Sequence, residues 1–176
     1  MGLDITAYGN LRKIDAVFSK DGEPIDPATR EALDGDYYEP RPNEHYDRAD
    51  GLTEGVYRYE KAIAHRAGSY GGYNRWREEL AKLGGWPLGS YEQYGKTWSS
   101  HAASAWDAKG GAFWELINFS DCEGTIGAAT SAKLARDFAE HQANADAHED
   151  NGFREKYGQW RAAFELAANN GAVSFH

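Results

Sequence analysis

The chain has 176 residues, of which 41% are hydrophobic and 27% are charged, and its formal net charge is −9. A chain of this length is expected to form one domain, residues 1–176, with a core that needs no disulfide. Nucleic-acid binding relies on lysine and arginine to neutralise phosphates. An acidic chain without a basic run is therefore not expected to bind DNA or RNA.

The sequence contains few signals for a cellular compartment or for a membrane. The one cysteine, Cys122, excludes an internal disulfide and a zinc site built from cysteines. The N-terminus lacks the basic start and apolar run of a signal peptide, and no stretch approaches the ~20 apolar residues of a membrane span. The sequence therefore predicts an intracellular protein that does not bind membranes.

The N-terminal residues alternate apolar and polar side chains, which is typical of a half-buried strand. The alternation covers Leu3–Ala7 and resumes from Ile14 to Phe18, and Gly9-Asn10 between them suits a tight turn. We therefore expect a β-hairpin here. Residues 19–55 are polar and proline-rich, and they predict a long irregular loop with room for a short helix near Pro27–Leu33. Such loops are usually functional or mobile, and a solvated flap is the simpler interpretation.

The middle of the chain predicts a strand, a helix and a second loop. Val56–Ile63 is rich in β-forming residues. Apolar residues at helical spacing predict a helix over Tyr73–Leu83, which two glycines end. Residues 84–111 place aromatic residues between glycines and serines, and they predict an irregular region with a short helix within Ser99–Ala108.

The last third predicts a strand followed by two long helices. Phe113–Phe119 is apolar on both faces, as in a buried strand. Helical spacing covers Ser131–Glu149, with Thr130 or Ser131 as the cap, and Phe153–Asn169. Ala172–His176 follows as an edge strand. The predicted fold class is α+β, a small and mostly antiparallel sheet with about three main helices and two long irregular loops.

The segment from His65 to Arg77 combines a glycine-rich turn with the start of a helix. Free backbone N–H groups and the helix dipole at such a start favour anions, and arginines could add charged donors. The simpler interpretation is a structural turn in which Arg75 pairs with Glu79. As a ligand-binding segment it would contribute His65, Arg66, Ser69, Tyr70, Asn74, Arg75 and Arg77.

A second polar corner, DCEG, contains Asp121, Cys122 and Glu123. Its two carboxylates could bind a cation or serve as acid and base. Without catalysis, Asp121 would cap a turn and Glu123 would pair with an arginine of the glycine-rich segment. Cys122 would be a nucleophile only with a histidine beside it, and a small core residue is the simpler interpretation.

Two histidines, His141 and His148, lie two helical turns apart in the predicted helix. Metal-binding histidine pairs on a helix are spaced i, i+4, so these two are too far apart for a shared metal. We expect them to be packing residues.

Five stretches resemble one family of small proteins from tailed bacteriophages and prophage-bearing bacteria: MGLDITAY, GSYGGYNRWR, ELINFSDCEGTIG, KLARDF and the ending GAVSFH. The resemblance covers most of the chain, and ELINFSDCEGTIG is its most specific part. It implies a setting, the bacterial cytoplasm during infection or lysogeny, and no catalytic residues. Small non-structural phage proteins often bind a host protein or sequester a nucleotide signal.

The first functional hypothesis is a non-enzymatic accessory protein with a counter-defence role. It would bind a small anionic, nucleotide-like ligand between the glycine turn and the DCEG corner. Tyr70, Tyr73 or Trp98 would stack on a base.

Two alternatives come from other functional classes. A protein-interaction module would dock its acidic flap, Asp34–Asp50, on a basic surface of a host protein. A metal-dependent hydrolase would use Asp121, Glu123 and His65, although no ligand spacing supports it. The sequence indicates no cofactor and does not predict an oligomeric state.

Overall fold

The computed structural model describes residues 2–41 and 43–176. Within these ranges the strands are β1 (Leu3–Gly9), β2 (Arg12–Ile14), β3 (Val17–Phe18), β4 (Pro24–Ile25), β5 (Val56–Arg58), β6 (Lys61–Gly68), β7 (Gly89–Gln93), β8 (Lys96–Ser100), β9 (Gly124–Ile126) and β10 (Ala172–Phe175). The helices are α1 (Tyr70–Leu83), α2 (His101–Trp106), α3 (Trp114–Ile117), α4 (Ala128–Glu140), α5 (Gln142–Asp146) and α6 (Asn151–Ala167), with a 3-10 helix at Tyr46–Ala49. The predicted α+β class, with three main helices, is confirmed. Among the described residues, no helix is both long and apolar enough to span a bilayer.

The central sheet has four antiparallel strands in the order β6-β1-β10-β9. The predicted N-terminal hairpin is wrong. After β1 the chain turns away at Asn10, whose φ is 56°, and the N–H of Leu11 donates to the carbonyl of Asn170. Strand β1 thus has distant strands on both sides, while β2 pairs with β5 in a separate two-stranded sheet.

The predicted strand Val56–Ile63 is two strands. Strand β5 belongs to the small sheet with β2, and β6 belongs to the central sheet. The chain passes from one sheet to the other at Tyr59 and Glu60.

The helices cover one face of the central sheet. Leu3, Ile5 and Ala7 of β1 alternate with partly exposed residues and are fully buried on that face. Trp160 of α6 packs there and stacks with Tyr73 and Trp76 of α1, with ring centroids 5.6 Å apart in both pairs. Burying a large apolar side chain contributes about 1.5–3 kcal/mol. The predicted apolar faces of α1 and α6 therefore supply much of the core.

The predicted strand Phe113–Phe119 is instead the short helix α3. Phe113 enters it with φ 56°, and its N–H donates to Asp137 Oδ2 of α4 at 2.6 Å. The run is buried, and periodicity cannot separate a short buried helix from a strand. The strand of this region is β9, which the sequence analysis did not predict.

The predicted helix Ser131–Glu149 is two helices, α4 and α5, separated at His141. Neither predicted cap is correct, because α4 begins at Ala128 and Gly127 is its N-cap. Ser131 is fully buried inside the helix. His141 and His148 are packing residues, as predicted: their rings lie 5.1 Å from Phe113 and 4.1 Å from Phe153.

The last strand, β10, lies inside the central sheet rather than at its edge. It pairs with β1 on one side and β9 on the other, and all four of its residues are buried. A side chain at Gly171, just before it, would overlap the carbonyl oxygen of Tyr8. Only glycine therefore allows β10 to follow α6 so closely.

Both predicted loops contain short elements. The described part of residues 19–55 lies against the body of the protein through Tyr38, whose hydroxyl is 2.9 Å from Thr125 Oγ1. Near Pro27 there is no helix. Asp26 Oδ1 accepts the N–H groups of Ala28 and Thr29 in a turn. Residues 84–111 form the β7–β8 hairpin and the predicted short helix, α2.

Candidate functional site

A cleft of about 560 Å³ lies between α1 and the β7–β8 hairpin. Its volume is within the range of small-molecule sites. The α1 side contributes Asn74, Arg75, Arg77 and Glu78, and the opposite side contributes Tyr91, Gln93, Ser99, Ser100, Ala102 and Trp106, with Ile117 between them. Ser69 fixes the start of α1, because its Oγ accepts the N–H of Gly72 at 3.1 Å.

A second cavity of about 390 Å³ adjoins the cleft, and the two share Arg77, Trp106 and Ile117. Its other lining residues are Glu44, His45 and the stretch 118–122. The DCEG corner and the glycine-rich segment therefore face connected cavities. The sequence could only suggest this proximity.

The two polar corners meet through Asn74. Its Nδ2 donates to Asp121 Oδ2 at 3.1 Å, and its Oδ1 accepts from Arg77. Arg77 also donates to the carbonyls of Ile117 and Phe119, at 3.2 and 2.5 Å. The expected pairing of Glu123 with an arginine is not present among the described residues, and the direct link runs from Asn74 to Asp121.

Arg75 is the exposed cation of the cleft. The predicted pairing of Arg75 with Glu79 is wrong, because Glu79 pairs with Lys82 and lies near His148. Within residues 2–41 and 43–176, no hydrogen bond or salt bridge engages the Arg75 guanidinium. Its five donors are therefore available to a ligand.

Glu78 faces the cleft, and the start of α2 engages its charge. Its carboxylate accepts from Ser100 Oγ and from the N–H groups of His101 and Ala102, at 2.5, 2.9 and 3.0 Å. Partial burial acts to raise the pKa of Glu78, but these hydrogen bonds outweigh it and the pKa is lowered. A hydrogen-bonded carboxylate at a helix start is partly compensated. Glu78 therefore reduces the positive potential that Arg75 presents to a ligand less than a free carboxylate would.

The aromatic wall of the cleft consists of Tyr91 and Trp106, neither of which was predicted as a site residue, whereas Trp98 was predicted as a stacking residue. Tyr91 and Trp106 lie edge to face with ring centroids 5.1 Å apart, and Trp106 is 44% exposed. Trp98 stands directly across the hairpin from Tyr91, so its side chain lies on the same face. The sequence signal for this hairpin is the pair Tyr94-Gly95, which lies between the aromatic residues of the two strands. In the structure both residues have positive φ, 53° and 70°. Such a turn between alternating aromatics is typical of a β-hairpin.

Several predicted site residues lie outside the cleft. His65 packs its ring against Trp160, 5.1 Å away, on the helix-covered side of the sheet. Arg66 faces the opposite side, 3.5 Å from Asp4. Tyr70 packs against the core, and Tyr73 is fully buried, so Tyr73 is not positioned to stack on a ligand. Glu123 uses its carbonyl to accept from Asn43 Nδ2 at 2.8 Å and does not line either cavity.

The residues of the hydrolase hypothesis do not assemble into a metal site. Within the described ranges, no three His, Cys, Asp or Glu side chains are placed to hold a metal ion. Cys122 is exposed, which corrects the prediction of a core residue. Its Sγ lies 3.3 Å from Ser120 Oγ, and no described histidine is hydrogen-bonded to it.

The cleft and the adjoining cavity offer three contacts to a ligand. In the cleft, Arg75 can meet an anion and the aromatic wall can pack against a flat ring, and in the adjoining cavity Asp121 can accept a hydrogen bond. The Ser100 hydroxyl lies beside the Glu78 carboxylate at 2.5 Å, and that carboxylate is also engaged by the first N–H groups of α2. The chain has no match among protein-family models, curated proteins or solved structures.

Proposed function

We propose that this protein is a non-enzymatic binding protein for a small, planar and anionic ligand of the nucleotide class, held in the cleft between α1 and the β7–β8 hairpin. One observation carries the proposal: the unengaged guanidinium of Arg75 lines the same cleft as the Tyr91–Trp106 pair. A nucleotide presents the matching combination, a charged phosphate and a flat base.

The anionic half of the ligand would meet arginines. Arg77 directs its donors to neutral carbonyl and amide oxygens, and no carboxylate in the described part of the chain forms an ion pair with it. Its guanidinium also lies 4.6 Å from the ring centroid of Tyr73, which holds it in place. Arg75 would then supply the direct charge-assisted contact to phosphate.

The planar half would meet the aromatic wall. Trp106 leaves nearly half of its surface exposed beside Tyr91. Stacking of a base on an aromatic side chain contributes about 1–3 kcal/mol. Trp106 replaces Tyr73 as the stacking residue, and Trp98 remains a candidate on the same hairpin face.

The phage or prophage setting that the sequence resemblance implies gives this binding a purpose. A protein without catalytic machinery can still remove a host nucleotide signal by holding it. Stoichiometric binding alone would be enough for a counter-defence role of this kind.

The test is a thermal-shift panel of nucleotides, inorganic phosphate and uncharged nucleosides, followed by calorimetric titration of the best ligand. We expect nucleotides to raise the melting temperature more than either of their parts. Replacing Arg75 by glutamine removes a charge-assisted hydrogen bond of about 1.5–3 kcal/mol, so the affinity should fall about tenfold or more.

The matched control is Arg136→Gln, which neutralises an exposed arginine of α4. It should leave the affinity unchanged. A panel that gives no shift at millimolar concentration, or binding that Arg75→Gln leaves intact, would remove the proposal.

A second candidate function is protein interaction through the β7–β8 hairpin. Tyr94 at its tip is 92% exposed and Leu88 at its base is 64% exposed. Exposed aromatics are enriched in interfaces. In this second function the hairpin aromatics and the acidic segment Asp34–Asp50 would contact a host protein. The nucleotide panel would then give no shift, and a stoichiometric host partner would be recovered.

A further inference from the structure

We propose that the outer edge of β6 is a docking site for an extended, acidic segment of a partner protein, which would add a fifth strand to the central sheet. The proposal is independent of the cleft, because no residue of β6 lines the cleft. It begins from the fact that β6 is an edge strand.

The two edges of the sheet differ in length and cover. Strand β9 has three residues, and the segment beside it supplies partners to the backbone at both of its ends: Asn43 Nδ2 donates to the carbonyl of Glu123, and the N–H of Gly127 donates to the carbonyl of Arg48, both at 2.8 Å. Strand β6 has eight residues and pairs only with β1 among the described residues. A long unpaired edge is a template for another strand.

The register shows which backbone groups of β6 face outward. Asp4 exchanges two hydrogen bonds with His176, at 2.8 and 3.0 Å, so its N–H and C=O point toward β10. In an antiparallel ladder the direction alternates along the strand, so Ile5 and Ala7 point toward β6. Their partners are His65 and Ile63.

The alternate residues of β6 therefore present their N–H and C=O groups to solvent. They are Ala62, Ala64 and Arg66, and all three are exposed. Beyond them, the carbonyl of Ala67 already accepts from Lys156 Nζ at 2.9 Å. The free edge thus runs from residue 62 to residue 66, which is long enough for a short extended peptide.

The charge of β6 is opposite to that of the whole chain. The chain is −9 overall, with 28 acidic and 19 basic residues, yet the charged residues of β6 are Lys61 and Arg66, and β6 carries no acid. Asp4 lies 3.5 Å from Arg66, but both side chains are about half exposed, so that pair offsets little. The free edge therefore favours a strand that carries carboxylates.

The same charges disfavour a second copy of this chain as the occupant. Pairing β6 with its own copy would bring Lys61 and Arg66 beside a strand equally basic. Like charges across neighbouring strands are destabilising. Two chains of −9 would also repel each other at a distance.

The first test is amide hydrogen exchange measured by NMR. In the free protein, the amides of Ala62, Ala64 and Arg66 should exchange quickly, while those of Ile63 and His65 are protected. Adding an eight-residue peptide that alternates valine with glutamate should slow the fast set. No change in that set at millimolar peptide overturns the proposal.

The second test measures peptide affinity by fluorescence anisotropy. Ala64→Pro removes an outward donor without removing a bond to β1 and should abolish binding. Lys61→Gln with Arg66→Gln keeps the backbone donors and should weaken binding at least tenfold. Lys109→Gln with Arg136→Gln neutralises two exposed cations elsewhere and should leave affinity unchanged.

Three further results test the charge preference of the edge, the identity of its occupant and its independence from the cleft. A peptide with lysine in place of glutamate should bind at least tenfold more weakly, and equal binding would refute the charge argument. A native-mass dimer that Ala64→Pro converts to monomer would assign the edge to a second copy instead. Loss of nucleotide binding in the cleft variants would leave all of these results unchanged.

Discussion

His65 is a partly buried titratable residue with one fully buried ring nitrogen. Its Nε2 has no hydrogen-bond partner among the described residues. Burial lowers the pKa of the imidazole from 6.5 to about 4, and the nearby ammonium of Lys156 adds to this. A histidine held neutral in this way acts as a packing group. His65 packs against Trp160 and does not line the cleft.

This pKa gives a pH dependence with a definite sign. Between pH 6.5 and 4 the unfolded chain binds a proton at His65 that the folded protein does not, so stability falls as the pH falls. The slope of the free energy of unfolding reaches at most about 1.4 kcal/mol per pH unit. Urea unfolding across this range should show that His65→Leu loses this part of the slope. Equal slopes in the two proteins would contradict it.

At the scale of elements, Glu78 joins α1 to the hairpin region. Its three hydrogen bonds to residues 100–102 cap α2 and hold the aromatic wall against the cleft. Loss of a cap costs about 0.5–2 kcal/mol, and we expect Glu78→Ala to lower stability by about that amount. Amides of β7 and β8 should then exchange faster.

The matched control for Glu78 is Glu155→Ala, an exposed acid on α6. Its urea midpoint and hairpin exchange rates should equal those of the unchanged protein. If Glu78→Ala behaves like this control, the carboxylate does not hold the hairpin.

The elements that could be predicted from sequence are those with long periodic faces. Residues 73–83 and 153–167 were recognised because their apolar residues repeat over three or more turns and must face a core. Phe113–Phe119 was assigned wrongly because a short apolar run carries no period. The pairing of β1 was beyond sequence reasoning, since both partners are distant in the chain.

The candidate site was predictable only in part for a similar reason. Asn74, Arg77 and Asp121 were identified as polar groups at the ends of elements, and they meet in the structure. The opposite wall depends on how the hairpin folds back over α1, which no local pattern determines. Trp106 is therefore a residue that only tertiary structure assigns to the cleft.

At the scale of the whole molecule, the described residues of 19–41 and 43–55 belong to the body of the protein rather than forming a free flap. Arg48 is 4% exposed and donates to the carbonyls of Glu115, at 2.9 Å, and Asn118. Its guanidinium lies 4.8 Å from the Trp114 ring centroid. Asp50 accepts from the N–H of Thr130 at 2.7 Å, which ties the same segment to α4.

This attachment predicts that one side chain controls both stability and the order of the segment. Arg48→Ala removes the donor to the carbonyls of the partly buried residues Glu115 and Asn118, and it removes the contact with Trp114, so the free energy of unfolding should fall by about 2–4 kcal/mol. Limited proteolysis should then cut first between residues 26 and 55, because a detached segment exposes its backbone.

Arg41→Ala is the control, since that side chain is exposed and its backbone contact with Thr125 is kept. If Arg48→Ala resists protease as well as this control does, the segment is held by its other contacts, and the buried guanidinium is not what joins it to α3.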